Sequence, residues 1–170
     1  FGFTDPADAA SVAGANALLS GRITALPGAG TLALSGVAAT AGQFVSVANI
    51  NSGNLKFTPV ANANGAAYAS FTFQVQDNGG TANSGVDLDA TPRTMTVNVT
   101  SVNDAPVGTN NTVTTLEDNA YTFTAADFGF TDPSDAAGAA GANALIAVKI
   151  TTLPGAGTLQ DNGVNVTAGQ

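Results

Sequence analysis

Short runs in which apolar and polar residues alternate recur along this chain. The clearest are residues 55–58 (LKFT), 71–76 (FTFQVQ), 94–99 (TMTVNV), 120–123 (AYTF) and 148–151 (VKIT). Alternation with period two places every second side chain on the same face of a β-strand. Gly, Asn, Asp or Pro residues bound each run, as is typical of short strands separated by turns. The pattern therefore predicts an all-β fold.

The chain repeats itself with an offset of 127 residues. FGFTDPADAA at residues 1–10 returns as FGFTDPSDAA at 128–137, and GVAATAGQ at 36–43 returns as GVNVTAGQ at 163–170. Across the 43 aligned positions, 30 are identical. This self-similarity indicates a tandem array. With about seven strand-like segments in each repeat, it predicts a Greek-key β-sandwich.

The stretch SVNDAPV at residues 101–107 separates one repeat from the next. Pro106 restricts its own backbone and that of the residue before it, which favours a short, stiff connection. We predict that residues 1–101 are a repeat lacking its N-terminal strand region and that 102–106 are the linker. Residues 107–170 are then the N-terminal half of the next repeat, and the chain is a window from a longer protein.

Two local features qualify this picture. Residues 22–34 (RITALPGAGTLAL) are predicted to form a hairpin that turns at residues 27–30 (PGAG). The alanine-rich segment 8–19 is expected to be a helical turn or an irregular loop, since its glycine disfavours a long helix.

Composition excludes several functions. The chain has no Cys and no His, its charged fraction is 9%, and its net charge is -8. An acidic surface is unsuited to nucleic acid, and no apolar run is long enough to span a membrane. Without His or Cys, a glycosidase with paired carboxylates is the enzyme class that remains. Because the acidic pairs recur at turns in both copies, we expect no enzymatic activity.

Acidic residues cluster at the ends of the predicted modules. Asp5 and Asp8 bracket a proline, and the pair returns as Asp132 and Asp135. Two nearby carboxylates repel each other unless a cation neutralises them, which favours a hard-cation site. Two alternatives stay open: the first Asp of each pair caps a turn, or the acidic loops are simply solvated.

The residues at the end of the first repeat resemble a cadherin-type repeat. VQDNGG at residues 75–80 and TMTVNVTSVNDAPV at 94–107 are similar to its last strands and linker. LEDNAYTFTAADFGFTDPSD at 116–135 resembles the opening of bacterial cadherin-like tandem repeats of large secreted or surface adhesins. The resemblance implies a cadherin- or Ig-like sandwich.

In that family calcium (Ca2+) lies at the junctions between repeats and stiffens the array. For this junction, the ligands implied by position are Asn103 and Asp104 in the linker, Asp77 at the preceding strand end, and Asp132 and Asp135 in the following repeat. Asp5 and Asp8 would serve the upstream junction, and Glu117 the junction at the far end of its own module. The linker departs from the family at Ser101 and Ala105. The resemblance with these departures therefore implies one or two calcium ions at each junction, with dissociation constants of about 0.1–1 mM.

These observations predict a structural extender repeat of a bacterial cell-surface adhesin or extracellular filament. The alternative is a module that binds glycan or associates with its own kind. The expected partners are neighbouring repeats, like chains joined by strand complementation, and a glycan. The expected location is extracellular, at the bacterial cell surface.

Overall fold

The computed structural model describes residues 2–6, 8–9, 14–136 and 141–170. The chain divides into two compact units, unit 1 (residues 1–102) and unit 2 (residues 103–170). The division falls within the predicted linker and assigns Asn103 and Asp104 to unit 2.

The described residues of unit 1 form seven strands, one short α-helix and a 3₁₀ turn at Ala82–Ser84. The strands and the α-helix are β1 Leu18–Ala25, β2 Thr31–Leu34, β3 Val37–Ala38, β4 Phe44–Ser46, α1 Val47–Asn51, β5 Leu55–Thr58, β6 Gly65–Asp77 and β7 Arg93–Val99. One sheet has the order β4-β1-β6-β7 and the other the order β3-β2-β5. All of these pairs are antiparallel. The pairs β1–β4, β1–β6 and β2–β5 join strands that are not consecutive in the chain, so connections cross between the sheets, as in a Greek key.

The core lies between the two sheets. Ile23 and Val45 from the four-stranded sheet are fully buried, and they belong to one cluster with Leu32 from the three-stranded sheet. Phe71 and Phe73 of β6 complete that cluster from alternate positions of one strand, as the period-two pattern requires. The predicted all-β sandwich is confirmed.

The turn at residues 27–30 does not close a hairpin, so that prediction was wrong. β1 and β2 are correctly placed strands, but they lie in different sheets, and the turn carries the chain from one sheet to the other. Gly30 has φ +72°, and a Cβ there would lie 2.5 Å from Cζ of Phe57. Glycine is thus required both by the backbone conformation and by the close approach of β5.

Unit 2 carries less regular structure. Its strands are β8 Gln160–Asp161 and β9 Val164–Asn165, and a 3₁₀ turn spans Ala125–Phe128. The strands predicted at 120–123 and 148–151 are not formed. Residues 148–151 correspond to part of β1, which unit 1 holds between β4 and β6. The described part of unit 2 contains no strand in the place of β6, and a strand exists only through its partners.

The segment predicted as a helical turn or loop, residues 8–19, includes residues 10–13, which lie outside the described residues. Its last two residues, Leu18 and Leu19, already belong to β1.

Candidate metal centre

The acidic pair of unit 2 lies in a turn that follows an isolated β-bridge. Val107 and Thr131 exchange backbone hydrogen bonds of 2.8 Å in both directions. Asp132 follows the bridge directly, and Pro133 then leads into the turn that contains Asp135. Both aspartates are 5% exposed, although charged side chains are seldom fully buried unless they are partnered.

Asn143 connects the two buried carboxylates. Its backbone N–H donates to Oδ2 of Asp132 at 2.7 Å. Its side-chain amide donates to Oδ2 of Asp135 at 3.2 Å and to Oδ1 of Asn103 at 2.7 Å. The backbone N–H of Asp104 also donates to Oδ2 of Asp135, at 3.0 Å. The linker residues and the acidic pair therefore form one hydrogen-bonded group, which we call the acidic latch (Asn103, Asp104, Asp132, Asp135 and Asn143).

One buried oxygen of the acidic latch lacks a donor among the described residues. Oδ1 of Asp132 is buried and accepts no hydrogen bond from them. Asp132 lines a cavity of about 490 Å³ together with Asn103, Asp104 and Asn143. A buried carboxylate oxygen without a donor is costly and calls for an explanation, such as an ion.

Unit 1 repeats the core of this arrangement. The backbone N–H of Asn16 donates to Oδ2 of Asp5 at 2.8 Å, and its side-chain amide donates to Oδ2 of Asp8 at 2.9 Å. These three residues occupy the positions of Asp132, Asp135 and Asn143 in the repeat. Asp5 is half-buried and Asp8 is exposed. The second pair is buried more deeply, and it is the pair that linker residues contact.

Asp77 lies near the acidic pair of its own unit. It ends β6, and its Oδ1 accepts the backbone N–H of Gly79 at 2.8 Å. Asp77, Asp8 and Asn16 line one cleft of about 250 Å³. The sequence-based assignment grouped Asp77 with the linker; the structure of unit 1 places it beside Asp8 and Asn16.

Glu117 is exposed and lies in a turn closed by a bond from the N–H of Asn119 to the carbonyl of Leu116, at 3.2 Å. Within the described residues its carboxylate accepts no hydrogen bond. Its backbone carbonyl accepts from Nδ2 of Asn119 at 3.1 Å.

Other acidic residues serve the local backbone. Asp127 accepts from the N–H of Thr124 at 2.7 Å and from the hydroxyl of Tyr121 at 3.1 Å. The Thr124 N–H is the main cause that lowers the pKa of Asp127, whereas burial is the main cause that raises the pKa of Tyr121. Asp89 pairs with Arg93 at 2.9 Å, and that hydrogen bond lowers its pKa.

The sequence reasoning missed Asn16 and Asn143. Both stand in the repeated stretch GANAL, so their recurrence at the period of the acidic pairs was available as a signal. The two amide hydrogens and the backbone N–H of one Asn can join two carboxylates.

The described residues contain no group of three or more His, Cys, Asp or Glu side chains that could hold a metal ion. The acidic latch thus offers two buried carboxylates together with amide oxygens. Among the same residues, no helix is long and apolar enough to cross a membrane.

Comparison with known proteins is consistent with this architecture. The family model described as "Bacterial Ig domain" matches residues 4–89, just over half of the chain. Such domains are generally non-enzymatic structural or binding modules that typically occur in surface proteins. The match ends before the linker, so it includes neither of the cadherin-like stretches at 94–107 and 116–135. No curated protein and no solved structure matches the chain. The chain belongs to the bacterial Ig domain family.

Proposed function

We propose that this chain is part of a structural extender of a bacterial surface adhesin or extracellular filament, stiffened by calcium at its acidic loops. Family membership supports a structural or adhesion module of a surface protein. The offset of 127 residues, with 30 of 43 aligned positions identical, supports a tandem array, in which each module is a spacer between its neighbours.

The observation that carries the calcium proposal is the unpartnered Oδ1 of Asp132. The side-chain oxygens of the acidic latch that accept recorded hydrogen bonds are Oδ2 of Asp132, Oδ2 of Asp135 and Oδ1 of Asn103. An unsatisfied buried acceptor costs about 1–3 kcal/mol, and a cation bound to Oδ1 would remove this cost. This unpartnered oxygen supports the proposal of a bound metal ion.

The chemistry of the donors favours calcium. Carboxylate and amide oxygens are hard ligands, and the chain has no Cys or His for a softer metal. Asp132, Asp135 and Asn103 would hold the ion, with Asp5 and Asp8 in the equivalent place of unit 1. With only two buried carboxylates, the site should be weak, with a dissociation constant of about 0.1–1 mM.

Such an ion would order the linker. Asn103 and Asp104 already contact Asn143 and Asp135, so an ion on the acidic latch would add a further constraint between the linker and the module that follows it. Calcium supplies charge neutralisation here; the hydrogen bonds of Asn143 set the spacing of the carboxylates. Repeated along an array, this constraint would make the connection between modules stiffer.

Thermal unfolding of the full chain in EDTA and in millimolar calcium tests the proposal. At ten times the dissociation constant, one site contributes about 1.4 kcal/mol, so the melting temperature should rise. Asp132→Asn should remove most of the rise. Asp161→Asn, which makes the same charge change in the exposed β8–β9 hairpin, should keep it.

Equal melting temperatures in EDTA and calcium would contradict the calcium proposal and leave a spacer that depends on hydrogen bonds alone. If calcium still raises the melting temperature of the Asp132→Asn variant, the ion binds elsewhere in the chain.

A further inference from the structure

The chain contains three Asn-Gly pairs: Asn64-Gly65, Asn78-Gly79 and Asn162-Gly163. Glycine has no side chain, so its backbone nitrogen can approach the side-chain carbonyl of the preceding Asn more freely than that of any other residue. Attack by this nitrogen closes a five-membered succinimide and expels ammonia. The three pairs differ in the groups that surround the reacting atoms.

At Asn78, neighbouring residues contact both reacting groups. The N–H of Gly79, which must lose its proton, donates to Oδ1 of Asp77 at 2.8 Å. A base that lies about 2.6–3.2 Å from the atom carrying the proton meets the geometric requirement for general-base catalysis. The carboxylate of Asp77 is therefore positioned to accept the proton of the attacking Gly79 nitrogen.

The electrophile is held as well. Oδ1 of Asn78 accepts the backbone N–H of Ala17 at 2.8 Å, and the N–H of Asn78 donates to the carbonyl of Ala17 at 3.0 Å. A donor on the carbonyl oxygen stabilises the negative charge that develops there during attack. Asn78 is also exposed, so water can reach the product.

We propose that Asn78 is a site of self-catalysed deamidation. The Gly79 nitrogen attacks Cγ of Asn78 while its proton passes to the carboxylate of Asp77. The Cγ–Nδ2 bond then breaks, and Nδ2 takes up that proton and leaves as ammonia. Water opens the succinimide at either carbonyl, which leaves aspartate or isoaspartate at position 78. The net reaction consumes one water and releases one ammonia.

The product changes the end of β6. A neutral amide becomes a carboxylate beside Asp77, which adds one negative charge to a chain whose net charge is -8. Asp77 lines the cleft that also contains Asp8 and Asn16. Deamidation thus makes this acidic cleft more negative with the age of the protein.

The chain supplies its own matched control. Asp161-Asn162-Gly163 repeats the tripeptide Asp77-Asn78-Gly79, but it turns the β8–β9 hairpin with φ +50° at Asn162. Within the described residues, no carboxylate accepts the N–H of Gly163. The two sites share a local sequence and differ in geometry. A difference between their deamidation rates is therefore due to the geometry.

The test is incubation of the full chain in EDTA at neutral pH and body temperature, followed by peptide mapping with mass spectrometry. Asn78 should convert about tenfold faster than Asn162, since a positioned base accelerates proton transfer. The Asn78→Asp variant provides a reference for the aspartate product and distinguishes it from isoaspartate. EDTA keeps the result independent of calcium binding.

The Asp77→Ala variant tests the role of the base. It should slow conversion of Asn78 about tenfold and leave Asn162 in the same molecule unchanged. Conversion of Asn78 no faster than that of Asn162 would overturn the proposal, and so would an Asn78 rate that Asp77→Ala does not alter.

Discussion

At the scale of single residues, asparagine amides and backbone N–H groups hold the two recurring acidic pairs of this chain. Acidic residues outnumber basic ones by 12 to 4, and the described residues contain one ion pair, Asp89–Arg93. The buried pair Asp132 and Asp135 is instead held by Asn143 and by the N–H of Asp104. Each amide N–H satisfies one lone pair without introducing a charge that would have to be desolvated.

Asn143→Ala should reduce the free energy of unfolding by about 1–3 kcal/mol, because it leaves the buried carboxylate of Asp135 short of a donor. Asn16→Ala is the matched control, since its partner Asp8 is exposed and water can replace the lost amide. Its cost should stay below about 1 kcal/mol. Urea unfolding of the full chain in EDTA gives both values.

Equal costs for the two variants would contradict the role assigned to burial. Hydrogen exchange adds a local measurement: the Asp104 N–H, which donates to Asp135, should exchange faster in Asn143→Ala and at an unchanged rate in Asn16→Ala.

At the scale of elements, short turns depend on capping groups and on glycine. The 3₁₀ turn Ala125–Phe128 begins with a capping box, in which Thr124 and Asp127 exchange side-chain and backbone contacts. Such reciprocal bonds satisfy N–H groups that the first turn leaves without partners. In the turn between β1 and β2, Gly30 permits the approach of Phe57.

The capping carboxylate predicts a pH dependence. The Thr124 N–H, as the leading cause, lowers the pKa of Asp127 below 3.8. Since the folded-state pKa lies below the unfolded value, Asp127 stabilises the fold above about pH 4, and this contribution is lost as the pH falls through the folded pKa. Asp127→Asn should therefore lower stability at neutral pH, and the difference from wild type should shrink in acid. Urea unfolding across this pH range measures it; a difference that is independent of pH would count against the capping role.

Two glycines separate backbone strain from steric clash. Gly36 has φ +83° with open space where a Cβ would stand, whereas at Gly30 that Cβ would meet the Phe57 ring at 2.5 Å. Gly36→Ala should cost about 1–2 kcal/mol from the left-handed backbone alone. Gly30→Ala should cost about 1–3 kcal/mol more, because the core must shift. Equal melting temperatures for the two variants would refute the clash.

At the scale of the whole molecule, the packing of two sheets stabilises unit 1. Ile23 is fully buried and contributes to the cluster that joins both sheets. Ile23→Ala should reduce the free energy of unfolding by about 2–5 kcal/mol. Val86→Ala, at a residue that is 79% exposed, should change it by less than about 0.5 kcal/mol. If urea unfolding gave the two variants comparable losses in the free energy of unfolding, Ile23 would not belong to the core.

The alternating runs of the sequence form strands where neighbouring strands are present to pair with them. The run at 55–58 became β5, and the runs at 71–76 and 94–99 lie within β6 and β7, because each has neighbours that take its backbone hydrogen bonds. The run at 148–151 has the same alternation but no strand in the place of β6 among the described residues. Alternation specifies which face of a strand is apolar, whereas strand formation needs a partner.

By itself the sequence determined the period of the repeat, the all-β class and the acidic residues that recur at the module ends. Alternation and charge are read from neighbouring positions, and the period follows from comparing the sequence with itself. Only the tertiary structure decided that β1 and β2 enter different sheets, since a turn of given composition can join strands within or between sheets. It also decided that Asn143 brings Asn103 together with Asp135, and that Asp77 lies beside Asp8 and Asn16. These contacts join residues far apart in the chain, where the order of strands and the path of loops set the distances.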